Sequence, residues 1–334
     1  MARSALVISG GAPNATLIAG ALVAFHELGI RFDVVSTAGA GALLGLMALA
    51  PKNGDPVSTL RGLSEMGIAD PLYEQFPVNF KVFHKPGDMA DTYRRLLGMN
   101  SLVDQLKQWP ARDPVSQWMK DSTELALACA CPSDLNPSST GLCAHVPFAE
   151  EIIDFAAVPA IEPIFYVNAY NLSTRTMANW TNGEIDPLHL QAALSFPFLY
   201  PPTQIGDEFF MEGAVIDCLN FKDLLKNHPD LEEIVVFDIL GAERLLRPPR
   251  DLYDAWVMSL ITPLVEIARD DIKIFEDRYK GNICLHKVPL LEGIPEEDLP
   301  TVFDWSRSNL DALYKIGHAK AKTWAQQNLA HLKG

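Results

Sequence analysis

The sequence predicts an α/β protein, a three-layer α/β/α domain with a mainly parallel central sheet. Three observations carry that reading. Ala5-Leu6-Val7-Ile8-Ser9 is a continuous apolar run of the kind a strand buried on both faces requires. Ala15 to Leu28 reads as a helix, with Gly29 just past its end where a C-capping glycine belongs. A second apolar strand ending in Val34 and Val35 comes next, and strand–helix–strand over about 30 residues is a βαβ unit, the start of a parallel sheet.

The second strand leads into Ser36-Thr37-Ala38-Gly39-Ala40-Gly41, a tight turn of small residues, and then into an apolar helix over Ala42 to Ala50. That helix is read as packed behind the turn on the sheet, not as a membrane element. From about 51 to 150 the texture changes to prolines, aromatics and short amphipathic stretches such as Met89 to Leu97 and Ser101 to Trp109. Little of it alternates, so it is read as a helical cap with long loops. Sheet character returns at Ile164 to Tyr170, and Arg175 to Trp180 alternates after a short turn, predicting a hairpin. Glu233 to Ile239 and Ile283 to Val288 are further strand candidates. Two long helices close the chain, about 250–280 and 303–332, each with apolar residues at three- and four-residue spacing. No linker or repeat divides the 334 residues, so one domain is expected, with its core over about 1–50 and 155–290.

Composition narrows the function. The chain is 48% hydrophobic, enough for a sizeable core, and its net charge of −15 argues against a nucleic-acid partner, which needs a basic face. The same acidity limits contact with anionic membranes to the periphery, unless a local basic patch lies within it. Five cysteines form no disulfide framework and suit a reducing cytoplasm. The apolar N-terminal stretch is broken at Ser9-Gly10-Gly11-Ala12-Pro13-Asn14, so it is not read as a signal peptide. The sequons at Asn14, Asn171 and Asn179 are accordingly read as chance matches.

Three motifs carry chemistry. The first is the glycine turn Ser9-Gly10-Gly11-Ala12; the second is Thr37-Ala38-Gly39-Ala40-Gly41, placed where a G-x-S-x-G nucleophile elbow sits in strand–turn–helix hydrolases. The third is Phe209-Phe210-Met211-Glu212-Gly213-Ala214, approached through Ser195-Phe196-Pro197-Phe198-Leu199-Tyr200-Pro201-Pro202. In that order the set resembles the patatin-like phospholipases, whose signatures are a glycine-rich oxyanion loop, a G-x-S-x-G elbow and a D-G-G/A segment. The resemblance covers residues 5–50 and about 160–220 and implies a serine–aspartate dyad, the aspartate serving as base and loop N–H groups holding the oxyanion.

Carried over residue by residue, the serine maps to Gly39, the aspartate to Glu212 and the oxyanion loop to Gly10, Gly11 and Ala12. Asn14 stands where a basic residue is usual, and Ala15 where a glycine is usual. Glycine has no side chain to attack with, and glutamate moves its carboxylate by one methylene. A misplacement of about 1 Å can cost ~100-fold in rate. Pro13 has no N–H to donate. The leading expectation is therefore a phospholipase-like protein of the lipid acyl-hydrolase lineage, in lipid metabolism, that has lost its serine chemistry. It would bind a lipid or acyl ester, or act as a non-catalytic subunit beside an active relative or in a homo-oligomer. An active esterase using an unconventional nucleophile or a water activated by Glu212 remains open, as does a pure scaffold.

Other residues are weighed beside these. Ser36, Thr37, Ser9 and Ser195 read as hydroxyls satisfied locally by backbone rather than as substitute nucleophiles. Phe196, Phe198 and Tyr200, with Phe76, Phe80 and Phe83, are candidates to line an acyl pocket, with ordinary packing as the alternative. Cys129, Cys131, Cys143 and His145 offer zinc-type donors, but at spacings shorter than usual, so small buried thiols are the preferred reading. No cofactor is expected.

Overall fold

The computed structural model describes residues 3–10, 15–99, 113–145, 148–238, 246–279, 281–295 and 304–332. Gly11, Ala12, Pro13, Asn14 and the stretch expected over 101–109 lie outside them. The strands are β1 (Ser4–Ile8), β2 (Val34–Thr37), β3 (Ile164–Asn171), β4 (Thr176–Thr181), β5 (Thr203–Ile205), β6 (Glu208–Glu212), β7 (Glu233–Phe237) and β8 (Cys284–Lys287). They form one sheet in the order β5-β6-β3-β2-β1-β7-β8, with β4 also paired to β3. Pairing is parallel from β3 through β8, and antiparallel between β3 and β4, β3 and β6, and β6 and β5. Every residue of β1, β2 and β7 is buried, which is why these strands read as unbroken apolar runs with no alternation.

The helices that bear on the site are α1 (Ala15–Glu27), α2 (Ala40–Leu49), α3 (Pro56–Glu65), α4 (Asp88–Gly98), α5 (Pro114–Ala130), α6 (Pro187–Ala193), α7 (Leu252–Tyr279) and α8 (Arg307–Asn328). Three of them start the same way. Asp55, Asp113 and Asp186 accept hydrogen bonds from the first free N–H groups of α3, α5 and α6, and a proline follows each as the first helical residue. The aspartate satisfies donors that the helix cannot, and the proline lacks an N–H at a place where none is needed. Helix α3 lies in the stretch expected as cap, yet it packs with α1, α2 and α8 on the core. The part set apart from the sheet begins after it.

One polar anchor ties α5 to the segment following α3. Asp121 is wholly buried and accepts from the Ala69 N–H at 2.7 Å, from Gln117, and from Lys81 Nζ at 2.7 Å. A buried carboxylate is tolerated because it is both paired and hydrogen-bonded.

The closest helix pair is α1 with α8. Gly317 of α8 faces the backbone carbonyl of Leu17, and Gly20 of α1 faces the carbonyl of Tyr314, with no room for a Cβ at either. Glycine on both helices lets the backbones meet, and the buried α8 residues Leu310, Leu313, Ala321 and Ala325 fill in around the contact. Gly317→Ala should therefore force the pair apart and destabilise by about 1–3 kcal/mol, the usual cost of overpacking. Thermal denaturation of that variant against wild type checks this, with Gly62→Ala, whose added Cβ would meet nothing within 4 Å, as a control expected to leave the midpoint unchanged or slightly raised.

Candidate functional site

Strand β3 has two edges. One pairs with β4 along Tyr166–Asn171. The other is shared in succession: β2 pairs with it from Ile164 to Val167, then β6 pairs with it from Ala169 to Asn171. Chain β2 ends at Thr37, opposite Val167, while β6 ends at Glu212, opposite Ala169. The turn after β2 and the end of β6 are thus set side by side by sheet register. This brings Gly39 and Glu212, 173 positions apart in the chain, into contact.

Gly39 has φ +50° and ψ −130°, backbone that an L-residue adopts only under strain. It is the tip of a strand–turn–helix, and α2 begins at the next residue. A Cβ built on Gly39 would fall on Oε1 of Glu212, lie 3.0 Å from its Cδ and come within 3.2 Å of the Ala214 Cβ. The glutamate carboxyl therefore occupies the space a side chain at position 39 would need.

Glu212 is buried, and its backbone N–H donates to the Ser195 carbonyl at 3.0 Å. Its carboxyl makes no hydrogen bond to a described side chain or N–H group. Burial pushes its pKa up to about 8, so at neutral pH the group is mostly an uncharged acid. The following Gly213 and Ala214 are also buried, and Ala214 packs against Gly10, the described member of the glycine loop.

The hydroxyls near the turn are all committed. Ser36 Oγ donates to the Asn220 carbonyl at 2.9 Å and Thr37 Oγ1 to the Tyr166 carbonyl at 2.6 Å, both fully buried. Ser195 Oγ donates to the Gln191 carbonyl at 2.8 Å and also meets Thr203 Oγ1 at 2.8 Å and His145 Nε2 at 3.1 Å. A serine beside a histidine resembles a nucleophile with its base. However, the same Nε2 contacts the Pro201 carbonyl at 3.2 Å, and a carbonyl only accepts. Nε2 must then carry the proton, and burial lowers the His145 pKa and keeps the ring neutral. His145 is a donor to Ser195 and cannot take its proton.

His145 also joins the cap to the core. Its ring stacks on Tyr200 at 4.7 Å, while Leu142 N–H donates to the Phe198 carbonyl and Cys143 N–H to that of Leu199. Burial raises the Tyr200 phenol, with Cys143 and Glu212 close enough to push it the same way. Burial also moves the Cys143 thiol up to about 11, so it is no thiolate nucleophile at neutral pH. Phe198 holds a positive φ of 73°, strained for a bulky residue, and exposes most of its ring; Phe196 packs against the core.

A cavity of about 1150 Å³ lies beyond this junction, between α4, α5 and the residues around Phe76 to Lys85. Phe76, Phe80 and Phe83 line it, as do Cys129, Cys131, Cys143 and His145, whereas Phe196, Phe198 and Tyr200 do not. Those three cysteines and His145 form no metal cluster, and no other group of such donors does so among the described residues. A set of buried and half-buried acids escaped the sequence reading. Asp271 is raised to about 7, first by burial and then by Asp217, and Asp217 and Asp238 also act on the buried thiol of Cys218. They come from the loops after β6 and β7 and from α7, so no local spacing announces them.

A family model described as patatin-like phospholipase matches residues 6–225, a span that includes both Gly39 and Glu212. No curated protein matches the chain. Among solved structures, VipD from Legionella pneumophila is similar, with 14% identity and a TM-score of 0.38, over 98% of this chain and 67% of that one.

The buried Glu212 carboxyl has a consequence for stability. Unfolded, it ionises near 4.5; folded, near 8. Its contribution is full below pH 4.5 and is lost as pH rises to 8, by up to ~1.4 kcal/mol per pH unit. Glu212→Gln cannot ionise, so the stability of this variant relative to wild type should grow between pH 5 and 8 and level off above. Chemical denaturation across that range checks it, and a difference that stays flat with pH would show that the carboxyl titrates normally.

Proposed function

We propose that this chain, which belongs to the patatin-like phospholipase family, has lost serine hydrolase chemistry and keeps the fold to hold a lipid or acyl ligand. It would do so alone or as a non-catalytic subunit beside an active relative. One observation carries the reading: the space that a nucleophile at position 39 would fill is taken by the Glu212 carboxyl. Gly39 stands where the family's serine belongs and Glu212 where its aspartate belongs, so attacker and base have changed together. The longer acid reaches into the room that the missing side chain leaves.

The nearby hydroxyls and thiols offer no replacement. Ser36, Thr37 and Ser195 are buried donors to backbone carbonyls, and His145 presents a proton where a base would need a lone pair. A water activated by Glu212 is the competing reading, and the raised pKa restricts it: the acid becomes a base only near and above pH 8. All five cysteines are unpaired, which suits the reducing cytoplasm. Among the described residues no helix is long and apolar enough to cross a membrane.

The wild-type protein should turn over neither short- nor long-chain acyl esters, and a fluorophosphonate probe should leave it unlabelled. Turnover that rises through pH 8 and disappears in Glu212→Ala would establish the water mechanism instead. Gly39→Ser alone must push the flexible Glu212 carboxyl aside to place its Cβ, and should be less active than the double variant. Gly39→Ser with Glu212→Asp removes the conflict and should bring in measurable ester hydrolysis and probe labelling. If the single variant were as active as the double, Glu212 would not be the obstruction argued here.

A further inference from the structure

We propose that the cap cavity is a binding site for a single-chain amphiphile with an anionic head, a reading that rests on and narrows the ligand-holding role above. Its walls are largely apolar, with Phe76, Val78, Phe80, Phe83, Leu125 and Leu127 among them, and its volume of about 1150 Å³ exceeds most small-molecule sites (~300–1,000 Å³). Phe76 and Val78 remain exposed at 39% and 42% although they face it. The interior is thus suited to hydrocarbon.

The charge on the walls runs against the rest of the molecule. Among the described lining residues, Lys81, Lys85, Arg94, Arg95 and Lys120 stand against Asp91, Glu124 and Glu151, a surplus of two positive charges in a chain of net −15. Two of these cations already have acids: Lys81 is held by the buried Asp121, and Arg94 by Asp91. Among the described residues, neither Lys85 nor Arg95 meets a carboxylate. Lys85 Nζ rests on the carbonyls of Cys129 and Cys131 at 3.0 and 2.8 Å, at the end of α5, and the Arg95 guanidinium meets the Thr92 hydroxyl at 3.2 Å. Carbonyl and hydroxyl contacts orient a cation without neutralising it. Each retains the charge to attract an anion at the margin of an apolar chamber.

An inorganic anion would leave the apolar walls unused, and a neutral lipid would leave the two cations without a counter-charge. A carboxylate or phosphate on one alkyl chain matches both. Among the described residues, the cavity meets the segment leading to the altered site through Leu142, Cys143 and His145, whose ring lies on Tyr200. The ligand is therefore held beside the Gly39–Glu212 contact and not in it.

Calorimetric titration of the full chain, below micelle-forming concentrations, with palmitate, hexadecyl phosphate and hexadecanol tests this. Both anionic probes should bind, and hexadecanol at least tenfold more weakly. Laurate should be weaker than palmitate by at least tenfold, since each buried methylene is worth about fourfold. Whichever anion binds tighter identifies the head group. Lys85→Gln and Arg95→Gln should each cut the anion-to-alcohol ratio to about threefold or less while hexadecanol binding holds, and unchanged melting curves establish that the variants fold. Leu127→Trp should weaken all the long-chain probes together. Equal affinity for hexadecanol, no chain-length dependence, competition by millimolar inorganic phosphate alone, or no binding to the folded protein would each overturn the proposal. Failure here with hydrolysis still absent would leave the loss of serine chemistry standing. Hydrolysis by the wild type would remove that reading without touching the binding result.

Discussion

The succession of β2 and β6 along one edge of β3 is the constraint on which the rest of the site depends. A strand edge offers one row of backbone donors and acceptors, and two strands can share it only if one ends where the other begins. Thr37 opposite Val167 and Glu212 opposite Ala169 mark that handover. Because β2 stops there, the chain must turn sharply, and Gly39 takes a positive φ to do so. Because β6 stops there, its last side chain is delivered into the turn. Residues far apart in sequence are thereby held in contact by backbone hydrogen bonds, independent of what chemistry their side chains retain.

That independence explains how the turn keeps its shape while its side chains change. The elbow backbone is specified by sheet register and by the close packing at the start of α2, not by a serine hydroxyl. Removing a side chain at 39 opens a small space at the base of the site, and an unfilled space has a cost of its own. In this chain the Glu212 carboxyl lies in the space beside Gly39. The result is a buried acid with no described hydrogen-bond partner, kept neutral by desolvation. A neutral carboxyl in a small cavity is a filler, whereas an ionised one there would cost several kcal/mol. The geometry of the site and the protonation of Glu212 are two aspects of the same packing.

Much of the fold was legible because the buried strands have no choice of residue. Ala5–Ile8, Val34–Val35 and Ile234–Phe237 must be apolar on both faces, and Gly29 must tolerate positive φ after α1. The β5–β6 hairpin was harder to see. Thr203–Ile205 is three residues long, and Phe209 and Met211 on its partner strand face different surroundings from Phe210, so the segment stood out as a motif before it could be read as a strand. The Asp-Pro starts of α3, α5 and α6 were local signals that went unused. The contact of Glu212 with Gly39, by contrast, is a property of register between distant strands. No spacing along the chain encodes it.

The cavity illustrates the same limit from the other side. Its lining is drawn from residues 76–98, 120–131 and 142–151, the region whose lack of alternation made it read simply as a cap. Local pattern reports how an element meets the core, and these helices are small amphipathic pieces that meet one another across open space. The aromatic cluster Phe76, Phe80 and Phe83 was visible as a candidate lining, whereas the tally of charges over it was not, because in sequence its lysines and arginines are diluted among many acids. Only folding gathers five cations and three acids, among the described residues, around one cavity. The Gly39–Glu212 contact and the cavity are built from different elements. The elbow and the chamber are joined by the stack of His145 on Tyr200 and a few backbone hydrogen bonds, so selection can act on one while leaving the other intact.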